Sequence, residues 1–132
     1  MSARGSLLLL AVLLGVACAA RPARAQDSRR WTTENTVLAL SSTALIVMDW
    51  STTLTMARRP DRYTESNPLL PRHPSVRQVN VACALALGGN LLLAHWLPNP
   101  WRSVVMETVT AIELASVTNN VVRYGIGLSL PF

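Results

Sequence analysis

The sequence predicts an all-α fold, a membrane-embedded three-helix bundle preceded by a signal peptide. Three observations carry that prediction. Apolar segments at about 34–56, 76–97 and 103–122 each approach the ~20 residues that a helix needs to cross a ~30 Å hydrocarbon layer. None alternates as a half-buried strand would, and each exceeds ordinary strand length. Turn-rich segments separate them, with no internal repeat or low-complexity tract.

Composition bounds the alternatives. A chain of 132 residues, half of them hydrophobic but only 5% aromatic, makes one small domain without a large water-soluble core. All twelve basic residues are Arg, which points to compositional bias as much as to a binding surface. Six of them lie between Arg58 and Arg102 and border apolar segments, where they orient a membrane protein. The expected partner is therefore the lipid bilayer and not nucleic acid. Cys18 falls in the signal segment and Cys83 in an apolar helix, so a disulfide framework is not expected.

At the amino terminus, Arg4 precedes the apolar run from Ser6 to Ala20. A break at Arg21-Pro22 and the small-residue triplet Ala23-Arg24-Ala25 follow, which is the order of a secretory signal. The run is shorter than a spanning helix requires. The reading is a signal peptide over 1–25 and a transmembrane domain over 26–132, with cleavage before Gln26; an uncleaved amino-terminal anchor is the alternative.

Helix ends are legible in the remaining segments. Pro60 closes the first region, Pro74-Ser75 opens the second, and Leu97-Pro98-Asn99-Pro100 forces the last two helices into an antiparallel hairpin. Orientation follows from charge. The first connection carries Arg58, Arg59, Arg62 and Arg72, with Arg77 just beyond, against Arg102 alone in the second. Loop 57–76 is expected to be cytoplasmic and the mature amino terminus outside. Trp31, Trp96 and Trp101 then mark the outer boundary, and Tyr63 and Tyr124 the inner one.

Polar residues inside these segments point to the site. At 1.5 Å per residue, Asp49 lies roughly 10 Å from the inner end of its helix, Asn80 and Cys83 about 6 to 10 Å, and Asn119 and Asn120 about 4 to 6 Å. The expected inner cluster is Asp49, Thr53, Asn80, Asn119 and Asn120. Asn35, Ser42, Asp49 and Met56 repeat every seven residues and share one helix face, as do Asn80, Leu87 and Ala94, flanked by Cys83 and Asn90. Ser42, Asn90, Glu107 and Thr110 make an outer layer. Glu113 stands near the midplane without an evident mate in the chain.

The Asn and Thr residues are accounted for by ordinary interhelical hydrogen bonding. The carboxylates demand more, since each charge at a helix centre costs ~2.5–3.5 kcal/mol on insertion. Glu107 and Glu113 are therefore either structural carboxyls or contacts to a partner or an ion. The third segment inserts only with help, its alternative being an amphipathic helix on the surface. His73 and His95 lie on opposite sides, so no shared metal and no Ser-His-Asp constellation is expected. No cofactor is indicated.

Met48-Asp49-Trp50-Ser51-Thr52-Thr53, followed by Tyr63-Thr64-Glu65-Ser66-Asn67-Pro68-Leu69-Leu70, resembles an uncharacterised group of small bacterial membrane proteins with an Asp-x-x-Thr-Thr helix and a Glu-x-Asn-Pro loop. The resemblance covers roughly a quarter of the mature chain and implies a multi-pass fold without supplying an activity. Read physically, Asn67-Pro68 fixes a turn. Glu65 either folds back onto the inner end of the bundle or is a solvated loop carboxylate. The expected protein is a multi-pass protein of the bacterial inner membrane with a cytoplasmic carboxyl terminus. As a non-enzymatic accessory or assembly subunit it would join a homo-oligomer or a larger complex. The alternative is a small oligomeric transporter or proton- or cation-conducting element using Asp49, Glu107 and Glu113, and an intramembrane enzyme ranks third.

Overall fold

The computed structural model describes residues 29–127, which form three helices and no strand among the described residues. The expected signal peptide at 1–25 lies outside them. The helices are α1 (Thr33–Ala57), α2 (Val76–Trp96) and α3 (Trp101–Tyr124).

Local chemistry sets their ends. Thr32 caps α1 and Ser75 caps α2, each in a reciprocal capping box, with Asn35 and Gln78 respectively returning a side chain to the cap. The α3 helix starts at Pro100, which makes no side-chain cap bond. It stops at Gly125, whose φ of 61° is the left-handed conformation that glycine adopts without steric cost. The Ile126 amide then bonds back to the Asn120 carbonyl, and the Ile126 side chain is buried.

All three helices pack on one another. The α1 residues Asn35, Ser42, Asp49 and Met56, seven apart, are all buried and make its interior stripe. The interior stripe of α2 is Val79, Cys83, Asn90 and Ala94. Asn80 lies one residue to the side of it, and that single step of about 100° carries it to the exposed surface. Leu54, Val79 and Cys83 form a small apolar cluster at the loop end, covered by Trp50, Ala57 and Leu70.

Polarity is distributed unusually. Among the described residues, ten buried apolar side chains are matched by ten buried polar or charged ones. Conversely, Val37, Leu40, Val81, Leu85, Leu92 and Leu114 are among the large apolar side chains on the outside. By length and composition α1 and α2 suffice to cross a membrane, each with a mean hydropathy of 1.4 over its most apolar window; α3 does not meet the same standard.

Candidate functional site

Among the described residues the buried polar groups form two centres, one at each end of the bundle, with an interhelical bond midway between them. That bond joins the Asn90 Nδ2 to Ser42 Oγ at 2.9 Å, linking α2 to α1. Of the other residues expected in that layer, Thr110 bonds back to the Met106 carbonyl of its own helix at 2.7 Å. Glu107 is exposed on α3.

The centre at the Trp-bearing end is built on Asn35. Its Nδ2 donates to Asn99 Oδ1 (3.3 Å) and Ser103 Oγ (3.1 Å), and its Oδ1 accepts from Arg102 Nη1 (3.2 Å). Arg102 is 3% exposed, and its guanidinium lies 4.8 Å from the centroid of the Trp31 ring. Asn99 Nδ2 also donates to the Arg30 carbonyl at 3.1 Å. Sequence reasoning gave Arg102 only an orienting role and missed this knot. The signal was available in Asn35, the first member of the seven-residue stripe on α1.

The opposite centre gathers around Asp49. Asn120 of α3 donates through Nδ2 to Asp49 Oδ1 (3.2 Å) and to Thr52 Oγ1 (2.9 Å). The Thr52 hydroxyl in turn donates to the Asp49 carbonyl at 3.0 Å, and Thr53 makes a side-chain hydrogen bond with Asp49. The structure thus brings Asp49, Thr53 and Asn120 together and adds Thr52. It does not bring Asn80 or Asn119 to them. Asn80 accepts from the Trp50 indole at 2.9 Å on the exposed side. Asn119 lines a shallow outward groove on α3 with Ala111, Ala115, Thr118 and Val122. Adjacent residues on a helix point about 100° apart, so only one of two neighbouring asparagines can face Asp49.

The loop completes this centre. Glu65 is 8% exposed, and its Oε1 accepts the main-chain N–H groups of Ser66 and Asn67, both at 2.7 Å. Its own amide donates to the Arg72 carbonyl at 2.8 Å. Asn67 Oδ1 accepts from the Leu69 amide at 2.9 Å, so Asn67-Pro68 forms a side-chain-stabilised turn. The Tyr124 hydroxyl donates to the Thr64 carbonyl at 3.0 Å, and the Tyr63 and Tyr124 rings meet edge to face at 5.9 Å. These contacts strap the loop to the end of α3, one turn beyond Asn120. Glu65 is folded into the bundle and is not a solvated carboxylate. Its second oxygen, Oε2, is buried without a hydrogen-bond partner.

Glu113 is half-buried on α3. Glu113 stands seven residues before Asn120 and so lies on the same face of α3. Among the described residues no group of three or more His, Cys, Asp or Glu side chains is placed to hold a metal ion.

Compared with known proteins, the chain matches no family model, no curated protein and no solved structure. The functional reading rests on the geometry of the site.

Proposed function

We propose that this chain is a small integral protein of the bacterial inner membrane that acts, without catalysis, as an accessory or assembly subunit. In this reading loop 57–76 and the carboxyl terminus face the cytoplasm, the mature amino terminus faces the periplasm, and the bundle joins a homo-oligomer or a larger membrane complex. The membrane location is supported by the apolar exterior of α1 and α2 around a half-polar interior, the arrangement that lipid favours. The resemblance carried by the Asp49 helix and the Glu65 loop agrees with it.

The observation that carries the assembly reading is the pair of glutamates on α3. This helix is the least able of the three to cross a bilayer unaided. It carries Glu107 exposed and Glu113 half-buried, with no hydrogen bond to either among the described residues. A carboxyl group facing hydrocarbon without a partner is costly, and contact with another subunit removes that cost. Crosslinking and size-exclusion chromatography of the detergent-solubilised protein test this. Glu113→Gln should weaken the assembly slightly and Glu113→Leu by ~1–2 kcal/mol per contact. An assembly unchanged by Glu113→Leu would overturn the reading. A second reading, a small oligomeric transporter or proton- or cation-conducting element, rests on the carboxyl groups carried within the helices, Asp49, Glu107 and Glu113.

A further inference from the structure

The Trp-bearing end of the bundle holds a cation without a counter-charge. Arg102 is more than nine-tenths buried, yet among the described residues no carboxylate pairs with its guanidinium. Its Nη1 donates to two neutral oxygens, Asn35 Oδ1 and the Arg30 carbonyl, and its Nε is buried without a partner. Glu34, the acidic residue at this end, is exposed on the first turn of α1, and Arg29 and Arg30 add two exposed cations. Arg102 also belongs to the first turn of α3, and that helix start is uncapped. The amides of Arg102 and Val104 reach the Pro98 and Pro100 carbonyls, which leaves those of Trp101 and Ser103 without an acceptor among the described residues. The Ser103 hydroxyl accepts from Asn35 Nδ2 and keeps its own proton to give.

A buried ion without an opposite charge is costly, and the free amides of a helix start carry partial positive charge of the same sign. We propose that this end of the bundle binds a phosphate group, with the Arg102 guanidinium, the Ser103 hydroxyl and the free first-turn amides of α3 as its donors. A tetrahedral anion suits them because its several oxygens accept at once from a guanidinium, a hydroxyl and main-chain N–H groups. The Trp31 ring, 4.8 Å from the guanidinium, covers the site. Trp31 stands ahead of α1, is 43% exposed and holds its indole by a hydrogen bond to Thr36 Oγ1, so the ring can turn aside without displacing a helix. Trp31, Trp96 and Trp101 are all exposed at this end, which sets it at headgroup depth in a bilayer. The phosphate is therefore that of an anionic phospholipid or a free ion from the water beside it. The site needs only the fold of the single chain and stands apart from the assembly reading.

Tryptophan fluorescence of the full chain in maltoside micelles tests it, since Trp31 lies against the guanidinium. One titration sets inorganic phosphate against sodium chloride at equal ionic strength, and a second sets phosphatidylglycerol against a neutral galactolipid at equal mole fraction. The expected result is a saturable change that chloride and galactolipid do not produce. A response to inorganic phosphate assigns the site to the free ion, and a response to phosphatidylglycerol alone assigns it to a lipid headgroup. Arg102→Gln should weaken binding roughly tenfold to a hundredfold, the worth of a hydrogen bond from a charged donor, and Ser103→Ala about two- to tenfold. Arg123→Gln, an exposed cation at the opposite end, should leave it unchanged. Ser103→Ala removes only a hydroxyl, so it decides the matter where Arg102→Gln does not fold. Three results would overturn the proposal: no saturable change with either phosphate source, the same change with chloride or galactolipid, or a response indifferent to Ser103→Ala.

Discussion

Asn119 and Asn120 are chemically identical neighbours, and the structure assigns them opposite roles. Replacing Asn120 by Ala removes two interhelical hydrogen bonds, to Asp49 Oδ1 and Thr52 Oγ1. At ~0.6 kcal/mol each, the average for such bonds in membranes, the loss is about 1.2 kcal/mol. Asp49 is 8% exposed and would be left with one donor fewer, an omission that costs ~1–3 kcal/mol when an acceptor stays buried. Because Thr53 still serves Asp49, the expected destabilisation is ~1–3 kcal/mol. Asn119 lies half-buried in an outward groove, so Asn119→Ala should change stability by ~0.5 kcal/mol or less. Reversible unfolding in mixed micelles, followed by helix content, measures both. A double-mutant cycle with Thr52→Val separates the Thr52 bond from the Asp49 bond. Equal losses for the two alanine variants, or a larger loss at Asn119, would refute the assignment of Asn120 as the link between α3 and α1.

Three further outcomes are expected. Tyr124→Phe removes the strap to the Thr64 carbonyl, a loss of ~0.5–1.5 kcal/mol; hydrogen exchange should quicken at the Glu65 amide while the helices stay protected, and unaltered exchange there would show that the tyrosine holds nothing. A cysteine at the exposed Asp61, with the native thiols removed, should resist a membrane-impermeant reagent in intact cells, whereas one at Trp101 should react; the reverse pattern inverts the topology. Amino-terminal sequencing of the membrane-bound protein should begin near Gln26, and recovery of a chain starting at Met1 or Ser2 would make the first apolar run an anchor.

What could be read from sequence was what local chemistry determines. Helix ends fell within a few residues of expectation because Thr32, Ser75, Pro74 and the Pro98-Asn99-Pro100 turn are short-range signals. The seven-residue stripe on α1 was legible because all four members are interior. On α2 the expected face held Asn80, Leu87 and Ala94 with Cys83 and Asn90 beside them; Cys83, Asn90 and Ala94 are buried, while Val79 takes the place of Asn80 and meets Leu54 with Cys83. Depth along a helix can be computed from rise per residue, whereas rotation about its axis depends on the neighbour. Asp49, Thr53 and Asn120 accordingly meet in space, whereas Asn80 and Asn119 face away from them. Glu65 was undecidable in sequence because its burial depends on Tyr124, sixty residues away, holding the loop against α3.

The distribution of polarity explains why these few side chains matter so much. In water a bundle of this size would rely on burying Leu, yet here the leucines lie largely outside and the interior is shared with Asn, Ser, Thr, Asp and Arg. Where the exterior meets lipid, apolar contacts between helices gain little over apolar contacts with acyl chains, and packing together with interhelical hydrogen bonds holds the bundle. The Asn35–Arg102 knot and the Asp49–Asn120 centre are then the two ends of one frame, joined midway by Ser42 and Asn90. Both terminal centres tie α1 to α3, while among the described residues α2 is joined to α1 by the Asn90–Ser42 bond and, at the surface, by the Asn80–Trp50 bond. If one helix is to shift while the others stay fixed, α2 is the one least restrained by buried polar contacts, and its movement would leave the Asp49–Asn120 bond in place.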